Sequence, residues 1–231
     1  MDETPNNGCS LNLNGTMLRA RASGSLWLPD QRTLIVSDLH LGKAERHARR
    51  SGGLWPPYEN AATLSRLEAE VEMLCPDSLV ALGDSFDDNA CIDGLTDRDR
   101  GRIVALAEGR RLIWISGNHD PLPTTLPGEP LDEMSLGSLT LRHIAVETET
   151  GELSGHYHPK ATIHARGRRI SRKCFVFDKN RLILPAFGAY TGGLDVLNPA
   201  IASLFDETAE VILTGETVLR TPFKRLRQLA A

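Results

Sequence analysis

Five short segments gather the residue types that bind divalent metals. They are Asp38-Leu39-His40, Gly83-Asp84-Ser85-Phe86-Asp87, Gly117-Asn118-His119-Asp120, His143, and Gly155-His156-Tyr157-His158. Of the 7 histidines only His47 and His164 fall outside them. In an extended segment residues i and i+2 project from one side, so Asp38 with His40, and His156 with His158, can each offer two ligands to one cavity. Mixed imidazole and carboxylate donors suit Mn²⁺, Fe or Zn²⁺ better than Ca²⁺, which prefers oxygen. A carboxylate such as Asp84 can bridge two cations. Two cations about 3.5–4 Å apart can clamp a phosphoryl group and generate hydroxide at neutral pH. Each piece alone has a plainer reading: a lone D-x-H is more often structural, Gly-Asp after a strand is usually a turn, and Asn-His-Asp is ordinary loop chemistry. His156 and His158 alone would pass for surface histidines. The joint occurrence in this order is much harder to dismiss.

Such segments need elements that bring them together. Thr33-Leu34-Ile35-Val36 ends at Ser37-Asp38, Ser78-Leu79-Val80-Ala81-Leu82 ends at Gly83-Asp84, and Leu112-Ile113-Trp114-Ile115 leads to Gly117-Asn118-His119-Asp120. Each apolar run reads as a buried strand. Leu64, Leu67, Val71 and Leu74 keep helical spacing over residues 59–74, with Pro76 as the stop. Thr96-Asp97-Arg98-Asp99 resembles a capping box, opening a helix that closes near Gly109. Strand, helix, strand, helix, strand is an α/β order, and in such sheets ligands bind at the C-terminal strand ends. Residues 11–28 supply one or two edge strands. Beyond residue 137, strands are expected at 139–141, 173–177, 182–184, 211–213 and 216–219, mostly antiparallel and completing a second sheet. The ligands are split between the two halves, so one domain over residues 1–231 is expected, with residues 1–8 disordered.

Composition narrows the class. The 231 residues are 41% hydrophobic and 24% charged, an ordinary globular profile. A net charge of -4 argues against a broad nucleic-acid footprint, so any such contact must come from local patches or through metal ions. Cys9, Cys75, Cys91 and Cys174 form no C-x-x-C pair, which excludes a thiolate zinc site or a disulfide framework. No apolar run approaches the roughly 20 residues of a membrane span. The polar, acidic start lacks a secretory signal, so a cytoplasmic location without membrane contact is expected.

The series D-x-H, G-D-x-x-D, G-N-H-D, a lone His and G-H-x-H resembles the calcineurin-like metallophosphoesterase superfamily. More narrowly, Ser37-Asp38-Leu39-His40-Leu41-Gly42-Lys43-Ala44, Gly83-Asp84-Ser85-Phe86, Gly155-His156-Tyr157-His158-Pro159 and the run from Pro185 to Gly193 (PAFGAYTGG) are similar to a bacterial branch. That branch is described as the ligase-associated DNA damage response endonucleases, and the resemblance runs from about residue 33 to 197. It implies an α/β sandwich of two mixed β-sheets flanked by helices. It also implies a first ion on Asp38, His40 and His158, a second on Asn118, His143 and His156, and Asp84 bridging them. Mn²⁺ is the expected metal, with Zn²⁺ or Fe as alternatives. His119 resembles the histidine that contacts the phosphoryl oxygen or protonates the leaving group, with Asp87 fixing its orientation. His143 departs from the branch pattern, which has a proline two residues later where this chain has Ala145. The implied reaction is in-line attack on phosphorus by a metal-bridging hydroxide. The implied substrate is a phosphodiester such as DNA, with a DNA ligase or helicase as partner, and a homodimer is the base-rate assembly.

Two basic clusters are candidates for gripping flanking phosphates: Lys43, Arg46, Arg49 and Arg50, and then Arg166, Arg168, Arg169, Arg172 and Lys173 around an expected hairpin at Gly167. Lys43, Arg46, Arg166 and Arg168 are the candidate substrate contacts; a solvated surface balanced by nearby acids is the plainer alternative. Gly192 and Gly193, beside Tyr190, allow close backbone approach or positive φ. Trp27, Trp55 and Trp114 read most simply as core residues, with Trp55 a candidate for the cleft. A phosphomonoesterase acting on nucleotides or phosphoproteins is the nearest alternative function. A non-catalytic scaffold of the same fold is the distant one, because every ligand position is intact.

Overall fold

The computed structural model describes residues 7–120, 126–147, 149–165 and 168–230. The first half runs β1 (Gly8–Leu13), β2 (Thr16–Arg21), β3 (Leu26–Leu28), β4 (Thr33–Val36), α1 (Lys43–Ser51), α2 (Glu59–Leu74), β5 (Ser78–Leu82), α3 (Asn89–Asp93), α4 (Asp97–Ala107), β6 (Arg111–Ile115) and β7 (Glu129–Leu131). These strands form a 7-stranded sheet whose spatial order is the chain order, antiparallel from β1 to β4 and parallel from β4 to β7. The second half adds β8 (Glu133–Leu136), β9 (Leu139–Arg142), β10 (Glu152–Ser154), β11 (Lys160–Ala165), β12 (Arg168–Phe177), β13 (Arg181–Ile183), α5 (Pro199–Ala202), β14 (Glu210–Leu213), β15 (Leu219–Pro222) and α6 (Phe223–Ala230). Its 8-stranded sheet has the order β15-β14-β12-β13-β10-β9-β8, with β11 paired to β12.

The continuous apolar runs are explained by burial on both faces. Along β4, β5 and β6, Leu34, Val36, Leu79, Ala81, Leu112 and Trp114 pack against Leu64, Leu67 and Val71 of α2 and Ile103 and Leu106 of α4. The alternate residues Ile35, Val80, Leu82, Ile113 and Ile115 point the other way, onto Leu141, Leu153, Phe175, Leu182 and Ile212 of the second sheet. That sheet's outer face carries Val176, Ile183 and Val211 against Ile201, Phe223 and Leu226. The result is an α/β sandwich of two mixed sheets between helical layers.

Several local expectations change. Residues 11–28 span parts of three strands and the turns between them, and Gly8 already pairs with Arg21, while residues 1–6 of the expected disordered start lie outside the described residues. The second sheet is less antiparallel than its sequence suggests, since β10 pairs in parallel with both β9 and β13. The strand expected at 216–219 begins only at Leu219, because a turn occupies residues 215–217, with Gly215 at φ 136 and its N–H bonded to Ala22. Thr96 caps α4 as expected, its hydroxyl accepting from the Asp99 N–H at 3.1 Å. No helix among the described residues is long and apolar enough to cross a membrane.

Candidate metal centre

The chemistry-bearing segments meet where β4, β5, β6, β9 and β10 end. The loop after β4 is tied to the loop after β5: Asp38 N donates to Gly83 O (3.2 Å), His40 N to Asp84 O (2.9 Å) and Leu41 N to Ser85 O (2.9 Å). From the second sheet, Gly155 N donates to His143 O at 3.0 Å, which joins the two histidine segments. Asp38–His40 and His156–His158 are not extended, contrary to the i, i+2 expectation. Asp38, His40, Asp84, His156 and His158 all take left-handed backbone, with φ of 53, 45, 46, 70 and 47. They are five of the eight non-glycine residues of this kind in the described chain, beside Asn14, Arg32 and Cys75. Such backbone costs about 1–3 kcal/mol per residue, less for Asp and His, which are enriched there. The two residues of each pair still reach one cavity, because the chain bends at both.

Two donor groups are the expected ones, Asp38, His40 and His158, and Asp84, His143 and His156; a third, His40, Asp87 and His119, shares His40 with the first, and within each group the donor atoms lie within 4.8 Å of one another. Asn118 joins the second, its Oδ1 lying 3.0 Å from His143 Nε2 and 2.8 Å from His156 Nδ1. Asp84 faces both groups, with Oδ1 at 3.4 Å from His143 Nε2 and Oδ2 at 3.8 Å from His40 Nε2. Burial would raise the Asp84 carboxyl, but His143, the His119 N–H and His40 bring it down to about 2.

The outer hydrogen bonds decide whether this set fits a cation. His143 Nδ1 lies 2.8 Å from Leu82 O, which can only accept, so its proton is on Nδ1 and Nε2 presents a lone pair. That lone pair confronts two more acceptors, Asn118 Oδ1 and Asp84 Oδ1. His40 repeats the arrangement: Nδ1 faces Asp87 Oδ1 at 2.8 Å, leaving Nε2 to meet His158 Nε2 at 3.3 Å. Acceptors converging on acceptors are repulsive unless a cation or an extra proton lies between them. Burial lowers the His143 pKa, yet Asp84 and Asp38 outweigh it and raise the value, so negative charge around this nitrogen calls for a positive partner. The residues therefore fit divalent metal ions, held by neutral imidazoles oriented from behind.

His119 belongs to neither expected group but clusters with His40 and Asp87, its ring meeting His40 edge-on with centroids 5.2 Å apart. It is half-buried, with Nε2 4.0 Å from Asp84 Oδ2 and Nδ1 3.0 Å from the Asp87 backbone carbonyl. Asp87 holds His119 through its main-chain carbonyl, while its carboxylate is engaged elsewhere. That carboxylate is drawn instead to His40 Nδ1, Arg46 Nη1 (2.8 Å) and Lys43 Nζ (3.7 Å), three donors that surround it. Burial opposes ionisation, but His40, Arg46 and Lys43 hold the Asp87 pKa well below the usual carboxylate range. Asp87 thus orients His40 with its side chain and His119 with its main chain. Asp120 is the group that sequence reasoning missed. Its buried Oδ2 accepts from Ser85 N (2.8 Å) and Phe86 N (3.0 Å), fixing the loop that carries Asp84 and Asp87. Burial, reinforced by the Asp84 charge, pushes its pKa up to about 6. Its position at the end of the Asn-His-Asp motif was the available signal.

At the mouth, Lys43, Arg46, His47, Arg50, Trp55 and Asp87 line a pocket of about 220 Å³. Arg46 and Arg49 are committed to carboxylates, Arg46 to Asp87 and Asp88, Arg49 to Glu45 and Asp88. Trp55 stacks on His47 with centroids 4.2 Å apart and meets Tyr190 edge-on at 6.1 Å. Of the second basic cluster, Arg166 and Gly167 lie outside the described residues. Arg168 opens β12 opposite Ala165, in the antiparallel pair of the expected hairpin. In the run from Pro185 to Gly193, Gly188 and Gly193 make close approaches: a Cβ would lie 2.2 Å from Leu39 O at the first and 2.2 Å from His158 O at the second, whereas one at Gly192 meets nothing within 4 Å.

No family model and no curated protein sequence matches the chain. Among solved structures, a Pseudomonas putida nuclease, MPE, superposes with a TM-score of 0.69 at 28% identity, covering 93% of this chain and 100% of that one. A Streptococcus pneumoniae protein described as a predicted phosphoesterase covers 82% of this chain and 96% of its own at 14% identity, but its TM-score of 0.31 is too low to carry weight. The sandwich itself, the ligand groups at its strand ends and the near-complete overlap with that nuclease agree: the chain has a metallophosphoesterase-like fold and is similar to that nuclease over nearly its whole length.

Proposed function

We propose that the chain is a two-metal phosphodiesterase acting on nucleic acid. The observation that carries this is the pair of ligand groups sharing Asp84. When bound, two divalent ions would neutralise phosphoryl charge and lower the pKa of water. The remaining work falls to side chains. His119, at the open edge, has Nδ1–H held by the Asp87 carbonyl, so as the imidazolium it gives its second proton, on Nε2, to the leaving oxygen and is left neutral with Nδ1–H in place. Its replacement by Ala is expected to lower kcat about 10²–10⁴-fold with metal content unchanged. Loss of metal on mass-spectrometric analysis would overturn that division of roles.

A diester is favoured over a monoester by the pocket beside Asp87, whose Trp55–His47 stack offers a flat apolar platform to a base on the far side of the bond. Base–aromatic stacking contributes roughly 1–3 kcal/mol. Trp55→Ala is therefore expected to raise KM about tenfold for a dinucleotide and to leave its abasic counterpart unaffected; equal changes on both would remove the platform. The function as a whole is tested by stripping the metal, restoring Mn²⁺, Zn²⁺ or Mg²⁺, and comparing matched diester and monoester substrates. Metal-dependent cleavage that prefers the diester is expected, and faster monoester hydrolysis would sink the proposal.

A further inference from the structure

A second cavity, of about 590 Å³, opens between α2, the turn after β2 and the loop after β14. Arg21, Ser23, Arg66, Glu70, Lys173 and Thr214 contribute to its wall. Positive charge there exceeds negative. Glu70 is taken by Arg21 Nε and by the Ser25 hydroxyl. Arg66 lies with its guanidinium 4.2 Å above the Phe187 ring, and its Nε and Nη2 are buried with no hydrogen-bond partner among the described residues. Arg21, only 2% exposed, has Nη1 in the same condition. Lys173 Nζ donates to Ala186 O (2.8 Å), Gly188 O (2.7 Å) and Thr191 Oγ1 (2.7 Å), three acceptors of which none is charged. Burial, with the nearby Arg66 and Lys160 charges, pushes the Lys173 pKa down to about 7, the response of a cation whose neighbours include too many others.

We propose that this cavity is a second oxyanion site, taking a phosphate group on the Arg66 and Arg21 guanidiniums and the Ser23 hydroxyl. Guanidinium forks match phosphate oxygens in geometry, and an anion satisfies donors that are otherwise buried and unpaired. The site is adjacent to the metal centre: Lys173 binds Gly188 O, and Gly188 N donates to Asp38 O at 3.0 Å. The phosphate comes either from the flanking backbone of the substrate, which rests on the proposed function, or from free inorganic phosphate, which does not.

Calorimetric titration of inorganic phosphate into the full-length, metal-loaded chain is expected to show two binding events. Arg66→Met keeps an aliphatic stem on Phe187 and should weaken one of them about tenfold or more. Ser23→Asp, which places a carboxylate in the cavity wall without touching the core, should do the same. Asp84→Asn should lose the other event and retain this one, so failure of the catalytic proposal is distinguishable from failure of the site. A single event in wild type, or unchanged affinities in both cavity variants, overturns the proposal. A KM increase in Arg66→Met that is larger for a 5′-phosphorylated dinucleotide than for the unphosphorylated one identifies the substrate as the source. Equal KM changes, with kcat responding to added phosphate only when Arg66 is present, identify free phosphate.

Discussion

Asp84→Asn is expected to reduce metal-dependent turnover by roughly a thousandfold or more, about 4 kcal/mol of barrier, and to leave the purified protein depleted of metal. Asn has the shape of Asp, and its oxygen can still accept from His119 N as Oδ1 does at 2.9 Å. The amide nitrogen would then replace Oδ2, turning its protons toward His40 Nε2, a lone pair now 3.8 Å away. The substitution therefore removes a negative charge that lies against both ligand groups, with little change in packing. Metal content after dialysis and turnover with added Mn²⁺ check the result together. Full occupancy at a near wild-type rate would mean that Asp84 is not shared.

Gly117→Ala should be nearly as damaging, for a steric reason. A Cβ at Gly117 would lie 2.2 Å from both Asp84 N and Asp84 Oδ1, and 2.7 Å from Asp120 Oδ1. Asp84 N belongs to the main chain just after β5 and can retreat only by shifting the loop that Asp120 holds. Overpacking of this kind costs about 1–3 kcal/mol. The accompanying displacement of Asp84 should lower activity at least about a hundredfold. Thermal melts and rates, measured beside Gly192→Ala as a substitution into open space, provide the check. The control is expected to stay within about 0.5 kcal/mol of wild type; equal behaviour of the two variants would refute the steric account.

The sequence makes the catalytic half more legible than the scaffold around it. Runs such as Ser78-Leu79-Val80-Ala81-Leu82 are buried on both faces, so apolar continuity alone identifies them, and the polar residues that follow mark the functional edge. Helix α1 leaves no such trace: Lys43–Ser51 is almost wholly polar and buries only Ala44. Strands β10 and β13 have three residues each, too few for a pattern to reveal their parallel pairing. Within the site, residue types disclose which groups bind a cation, but the partner of Asp87 depends on where Arg46 and Lys43 fall once α1 has formed. Trp55 likewise becomes a pocket wall only because His47, one face of that helix, turns to meet it.

The left-handed turns at Asp38, His40, Asp84, His156 and His158 carry a consequence for ion uptake. At these five residues the main chain sets the direction in which the side chain leaves the backbone, so that part of the ordering is complete before an ion arrives. That share of the conformational cost falls on folding rather than on association.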